Sequence, residues 1–292
     1  MNIIRKLPGP LLVFLGAFSL SFGGLIIKSF EGSSLWQILF WRSVFFTIVV
    51  SIFLFISYKK TVFSALKKSG FPGLIGGVIL SLGFVSYVFA MYETTVANTN
   101  FIIQTQTLFL AIFGYFFLKE TVSKLTIFCI FLAITGIFLM LGNSISPGQM
   151  TGNIVAFIMP ISFAILILIV RKFPDVDMIP LQLVAGIIAM IFGFLMSPSI
   201  FVSSKDIFLG FLAGFFQIGF GFIFITIGAR TTPSAMVGII MLSESVLGPI
   251  WAFLFVNEIP SLYGLIGGAI ILFAVLLQFY TLLKKPKAIV SN

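Results

Sequence analysis

Apolar residues fall in long runs separated by short polar breaks, at roughly 9–27, 35–56, 72–91, 96–118, 123–141, 152–170, 178–197, 207–229, 233–256 and 261–283. A helix rises 1.5 Å per residue and needs about 20 apolar residues to cross the hydrocarbon layer. Each run therefore predicts one transmembrane helix, and the chain reads as an all-α integral membrane protein of ten spans. The breaks at 119–122 and 230–232 are the tightest, which makes the helices flanking each of them close neighbours. Arg5 and Lys6 precede the first run as they would in a signal peptide. That run lacks a small-x-small cleavage site and is too long for a signal core, so it reads as a span.

Composition agrees. Of 292 residues, 60% are hydrophobic and 9% charged, with 38 Phe and a mean hydropathy of +1.22. A soluble domain carries about 25% charged residues to wet its surface, so a soluble fold is excluded. A single cysteine (Cys129) and no histidine exclude an intrachain disulfide, a zinc centre and His-based acid–base catalysis. No Gly-x-x-x-x-Gly-Lys-Ser/Thr loop occurs and no soluble domain exists to hold one, which excludes ATP-driven pumping by this chain alone. No cofactor or metal is expected.

The few charges are unevenly placed. With the N-terminus cytoplasmic, fourteen of the seventeen Lys and Arg fall on inside loops and tails. Only Lys28 and Lys205 fall outside, and Arg42 lies within a span. This asymmetry predicts that both termini are cytoplasmic. It also assigns the net charge of +9 to lipid headgroups and orientation, not to nucleic acid.

The chain also repeats. Phe117-Leu118-Lys119-Glu120-Thr121-Val122-Ser123 corresponds to Phe255-Val256-Asn257-Glu258-Ile259-Pro260-Ser261 at an offset of 138. The same offset matches Thr94 with Thr232 and Ala97 with Ala235, and Gly73-x-x-x-Gly77 has its counterpart one register away in Gly210-x-x-x-Gly214. Two halves follow, 1–145 and 146–292, each of five spans. Because five is odd, the halves insert with opposite orientation, an architecture of secondary transporters whose substrate site lies near the midplane between repeats.

On Phe40-Trp41-Arg42, the two junction acids Glu120 and Glu258, and Glu244 fourteen residues before Glu258, the chain resembles the drug/metabolite transporter superfamily, EamA type. The resemblance covers nearly the whole length. It implies ten helices in two repeats, a role for Arg42 in fold or transport, and movement of amino acids, related metabolites or toxic compounds across a bacterial cytoplasmic membrane. The family often has Gly before the junction acid, where this chain has Lys119 and Asn257. It often has Pro directly after the second acid, where Ser245 stands here and Pro249 comes later.

An ionisable group inside a span costs roughly 2.5–3.5 kcal/mol on insertion scales and asks for a reason. Glu244 lies near mid-depth, and its partner at the 138 offset is Gln106, also mid-span. The pair fits a substrate site at the repeat interface, or an interhelical hydrogen bond. Arg42 is a countercharge for Glu244, a clamp for a substrate carboxylate or phosphate, or an anchor snorkelling to headgroups beside Trp36 and Trp41. Gln104, Asn100, Ser243 and Gln217 are further polar candidates at mid-depth. Tyr87, Tyr92 and Trp251 are candidate stacking surfaces. Pro160 and Pro249 free carbonyls within their spans, with Pro249 a candidate gating kink. Gly73, Gly77, Gly210 and Gly214 are candidates for close helix approach or sliding. Glu120 and Glu258 each complement a helix N-terminus.

The favoured expectation is a secondary active transporter of a small polar metabolite, exporting or importing by alternating access. Glu244 is the one mid-membrane carboxylate able to carry a coupled proton. The expected partners are a small-molecule substrate, the bilayer and a coupling ion, with the chain a monomer or homodimer. A channel or scaffold is the alternative. An intramembrane enzyme is disfavoured because no His and no Asp lies in any run.

Overall fold

The computed structural model describes residues 7–93, 99, 102–120, 122–141, 150–256 and 262–284. They are helical almost throughout. The order is α1 (Gly9–Leu20), α2 (Gly23–Lys28), α3 (Leu35–Tyr58), α4 (Val62–Glu93), α5 (Gln106–Leu118), α6 (Lys124–Leu141), α7 (Met150–Ala156), α8 (Ile158–Lys172) and α9 (Ile179–Met196). Then come α10 (Ser204–Phe211), a π-helical stretch (Leu212–Phe220), α11 (Gly221–Ala229), α12 (Ser234–Met241), α13 (Ser243–Val256) and α14 (Leu262–Lys284). Five continuous helical runs among the described residues are long and apolar enough to cross a membrane, and Ile102–Leu118, Lys124–Gly136 and Ser234–Gly248 are shorter apolar helices. Large apolar side chains cover the outside, with Phe55, Phe116, Phe131 and Leu195 all fully presented outward. Such a surface is stable only against lipid.

Matched elements of the two halves make matched contacts. Helix α1 packs on α11 as α8 packs on α4, and α9 packs on α4 as the π stretch packs on α3. Helix α5 lies against α12, and α6 against α14. Helices α3 and α9 run antiparallel. Gln37 and Trp41, near the start of α3, donate to the carbonyls of Ser199 and Ile200 just beyond the end of α9. Tyr58, the last residue of α3, donates to Asp177 at the start of α9 (2.6 Å).

Glycine sets the closest of these approaches. A Cβ on Gly77 would meet the Leu181 carbonyl at 2.8 Å, and one on Gly214 the Arg42 carbonyl at 2.2 Å. Gly210 likewise abuts Trp41. Gly73 differs: its neighbour is Ser69 of its own helix, while Gly76 faces Ile169 and Leu181. The interhelical pair on α4 is thus Gly76/Gly77. A Gly-x-x-x-Gly face is interrupted because Gly70, in the left-handed region at φ 55, kinks α4 just before Pro72. Residues 62–69 form a separate short helix before that kink, and the helix that follows it starts close to the expected 72.

The expected proline kinks fall elsewhere. Pro160 occupies the first turn of α8, where a missing N–H is tolerated, and the break precedes it at Phe157. Helix α13 runs through Pro249 as one element, and its break is at Leu242.

Candidate functional site

Four helical runs break at mid-length: at Ser21–Phe22 between α1 and α2, at Thr105 before α5, at Phe157 between α7 and α8, and at Leu242 between α12 and α13. The second and fourth breaks are matched in the repeat, and their chemistry is the same. Thr105 Oγ1 donates to the Ile102 carbonyl (2.5 Å), and Ser243 Oγ to the Ile240 carbonyl (2.7 Å). Each bond spans three residues, and each pair is related to the other by the 138 offset. A hydroxyl bonded back to its own helix offers the backbone an alternative to the regular ladder and bends it. Directly after each hydroxyl stands the candidate polar residue: Gln106 opens α5, and Glu244 lies in the first turn of α13.

Arg42 is the centre of the second group. It projects from α3 and is 3% exposed, so it does not snorkel to headgroups. The anchor reading is thereby corrected, and Gly214 lets the π stretch pack directly on the α3 backbone at Arg42. Its guanidinium carbon lies 4.8 Å from the centre of the Tyr87 ring and 5.8 Å from that of Phe84, within cation–π range. Arg42, Tyr87 and Glu244 interact electrostatically with one another. Nε and Nη1 of Arg42 have no hydrogen-bond partner among the described residues.

Gln217 joins this group from the π stretch, a widened turn often found at functional positions. Its Nε2 donates to the Leu20 carbonyl at the first break (3.3 Å), and its Oε1 has no partner. The Gln217 amide and the Tyr87 hydroxyl converge on Gly23, where a Cβ would sit 2.7 and 2.9 Å from them. Trp251 closes the wall from α13. Its Nε1 donates to Ser21 Oγ (2.8 Å), and its ring stacks on Phe22 with centroids 4.6 Å apart. Residues from α1–α2, α3, α4, the π stretch and α13 thus meet where the two halves touch.

Not every candidate belongs there. Gln104 is buried, but it lines a separate apolar pocket of about 90 Å³ with Thr107, Ala133, Ile134, Phe138 and Leu242. It precedes Gln106 by two residues across the Thr105 break, and Gln106 does not line that pocket. Gln106 is 1% exposed with Nε2 unpartnered. Ser243 is committed to its own helix. Tyr92 is 63% exposed and faces outward. Asn100, Glu258 and the side chain of Pro249 lie outside the described residues.

One buried polar group was not anticipated, and one anticipated acid has a different partner. Gln182, fully buried in α9, donates to the Phe222 carbonyl (2.8 Å) and to Thr226 Oγ1 (2.5 Å). Its position inside a run was the available signal. Glu120 was expected at a helix N-terminus, and it serves one, but not that of the helix following it in sequence. Its Oε2 accepts from the Ser234 backbone N–H of α12 (2.8 Å), and its Oε1 is forked by Arg171 at 2.6 and 2.8 Å. Lys119 turns the chain to permit this. It adopts φ 54, and the Glu120 N–H closes the helix end on the Gly114 carbonyl. Glycine takes that backbone conformation without strain, which accounts for the family's preference at this position.

A lipid-facing helical bundle in two like halves, with polar groups gathered at helix breaks between them, defines a multi-pass membrane transporter. The EamA-like transporter family matches residues 7–142 and again 147–280. The chain belongs to that family, within the drug/metabolite transporter superfamily. A solved crystal structure is similar with a TM-score of 0.80 at 16% identity, over 95% of this chain and 99% of its own. That likeness speaks for the fold alone. Among curated proteins, none matches.

Proposed function

We propose that the chain is a secondary active transporter of a small polar metabolite, an amino acid or related compound, working by alternating access in a bacterial inner membrane. Ten spans form two inverted halves, 1–145 and 146–292, with both termini cytoplasmic. The antiparallel course of the matched helices α3 and α9 supports inversion, as does the exchange of partners between α1–α11 and α8–α4. The carrying observation is the buried guanidinium of Arg42, with Nε and Nη1 unpartnered among the described residues and Glu244 within electrostatic reach. A buried donor left unpaired costs about 1–3 kcal/mol, and a bound carboxylate or phosphate satisfies one of the two free edges of the guanidinium, at Nε or at Nη1. Glu244 and Gln217 Oε1 accept from the donor end of the same substrate, with Trp251 and Phe22 as the apolar wall. Gln106 lies at the matched break in the other half.

Differential thermal stabilisation of the purified protein by a metabolite library finds the ligand, since binding raises apparent stability by mass action. Counterflow of that ligand in proteoliposomes must then saturate, whereas a channel gives flux that does not. If protons drive transport, Glu244→Gln abolishes pH-gradient-driven uptake. Unchanged rate and pH dependence in that variant remove Glu244 from coupling.

A further inference from the structure

The two halves are bonded to each other at both ends of the bundle, and at each end, beside the α3–α9 bonds of Tyr58, Gln37 and Trp41, one carboxylate gathers several of the links. At one end Glu120, from the first half, accepts from Arg171 Nε and Nη2 and from the Ser234 N–H, all in the second half. Arg171 Nη1 continues to the Arg230 carbonyl (3.2 Å). At the other end Asp206, from the second half, accepts from Ser33 Oγ (2.5 Å) and from the Glu31 N–H (3.1 Å) in the first. Lys205 pairs with Glu31 beside it. Helix α3 separates the ends: Ser33 precedes its first residue, while Tyr58, its last, bonds Asp177 near the Arg171 end. At 1.5 Å per residue that is about 36 Å, the full thickness of the membrane.

We propose that Glu120 and Asp206 are reciprocal gate latches, each holding the halves shut at its own face of the membrane. This rests on the alternating-access reading. Both latches are closed here. Opening toward one face requires that face's carboxylate to release the opposite half while the other keeps its grip. The ties suit this role because they run between halves and not within one. They also consist of charge-assisted bonds, whose donors and acceptors are readily hydrated once exposed. Asp206 is 1% exposed and the Glu120 side chain 15%, so releasing either exposes a junction that is now mostly covered.

The test reads access from each side without a substrate. In a Cys129→Ala background, Ser245→Cys places a reporter next to Glu244, and an impermeant maleimide is applied to vesicles of each orientation. Glu120→Gln should raise labelling from the Glu120 face roughly tenfold and lower it from the opposite face, as loss of a charge-assisted network shifts a two-state population. Asp206→Asn should do the reverse. Arg171→Lys, which keeps the charge but loses the fork, and Ser33→Ala carry the same expectations if the first variants fail to fold. Labelling that stays within about twofold on both faces, or that moves the same way on both, overturns the latches. Intact counterflow alongside such a null result leaves the transport reading standing. A labelling shift without transport of any ligand does the opposite.

Discussion

Replacing Arg42 with Met separates a working charge from a structural one. Two guanidinium nitrogens, Nε and Nη1, are buried without partners among the described residues, a cost of about 2–6 kcal/mol at roughly 1–3 each. Against that stand the cation–π contact with Tyr87 at 4.8 Å, worth about 2 kcal/mol when desolvated, and the weaker one with Phe84 at 5.8 Å near the limit of the range. Methionine keeps most of the side chain's volume and its contact with the rings. The balance predicts that Arg42→Met, combined with Glu244→Gln so that no buried carboxylate is left uncompensated, is more stable than the parent by about 1–3 kcal/mol, as happens when buried charges are replaced together. For a chain of this size that is a melting temperature raised by roughly 2–6 °C. The assay is thermal unfolding in detergent, paired with counterflow in proteoliposomes, where Arg42→Met should be inactive. A melting temperature lowered by more than about 4 °C would refute the reasoning. It would mean that Arg42 holds the helices together, whatever else it does.

Other substitutions test the packing and the assignment of residues. Lys119→Gly should stabilise the protein by about 1 kcal/mol, because it relieves a left-handed side-chain residue at a helix end; a lower melting temperature contradicts this. Gly214→Ala should cost about 1–3 kcal/mol through its clash with the Arg42 carbonyl, whereas Gly248→Ala, with its nearest neighbour 3.7 Å away, should gain up to about 1 kcal/mol; equal melting shifts would deny that close approach governs the α3–π contact. Gln182→Leu removes the donor to Phe222 and Thr226 and should lower stability by about 1–3 kcal/mol while leaving the substrate's apparent affinity unchanged. Gln104→Leu should leave counterflow intact and Gln106→Leu should reduce it; the reverse order would move the site to the 90 Å³ pocket.

How much of this was legible in the sequence depended on the kind of interaction. Long apolar runs report on the solvent around the bundle, so helix content and membrane placement were readable from Gly9 to Lys284. Repeat-matched polar residues were readable too, since Gln106 and Glu244 stand out against apolar neighbours. What sequence spacing cannot give is which face of a broken helix a side chain takes. Gln104 and Gln106 were grouped on depth, yet only Gln104 lines the apolar pocket. Pro249 drew attention as the helix breaker, whereas the break falls at Leu242, beside Ser243. For Arg42 the sequence left a countercharge, a substrate clamp and an interfacial anchor open, and its burial against Phe84 and Tyr87 of another helix, which removes the anchor, is set by contacts distant in sequence. Partners such as Arg171 for Glu120 lie 51 residues apart, beyond any local rule.

The paired hydroxyls at Thr105 and Ser243 carry a consequence for how such helices move in oil. A helix that flexes in hydrocarbon ordinarily strips peptide carbonyls of their bonds with no water at hand to replace them. At these two joints the replacement is built in, one swivelling O–H per helix, already seated on the carbonyls of Ile102 and Ile240. The joint can change its angle while that oxygen stays covered. Removing the hydroxyl, as in Thr105→Val or Ser243→Ala, leaves the shape nearly intact but turns a lubricated hinge into a stiff one, so turnover should slow more than binding weakens.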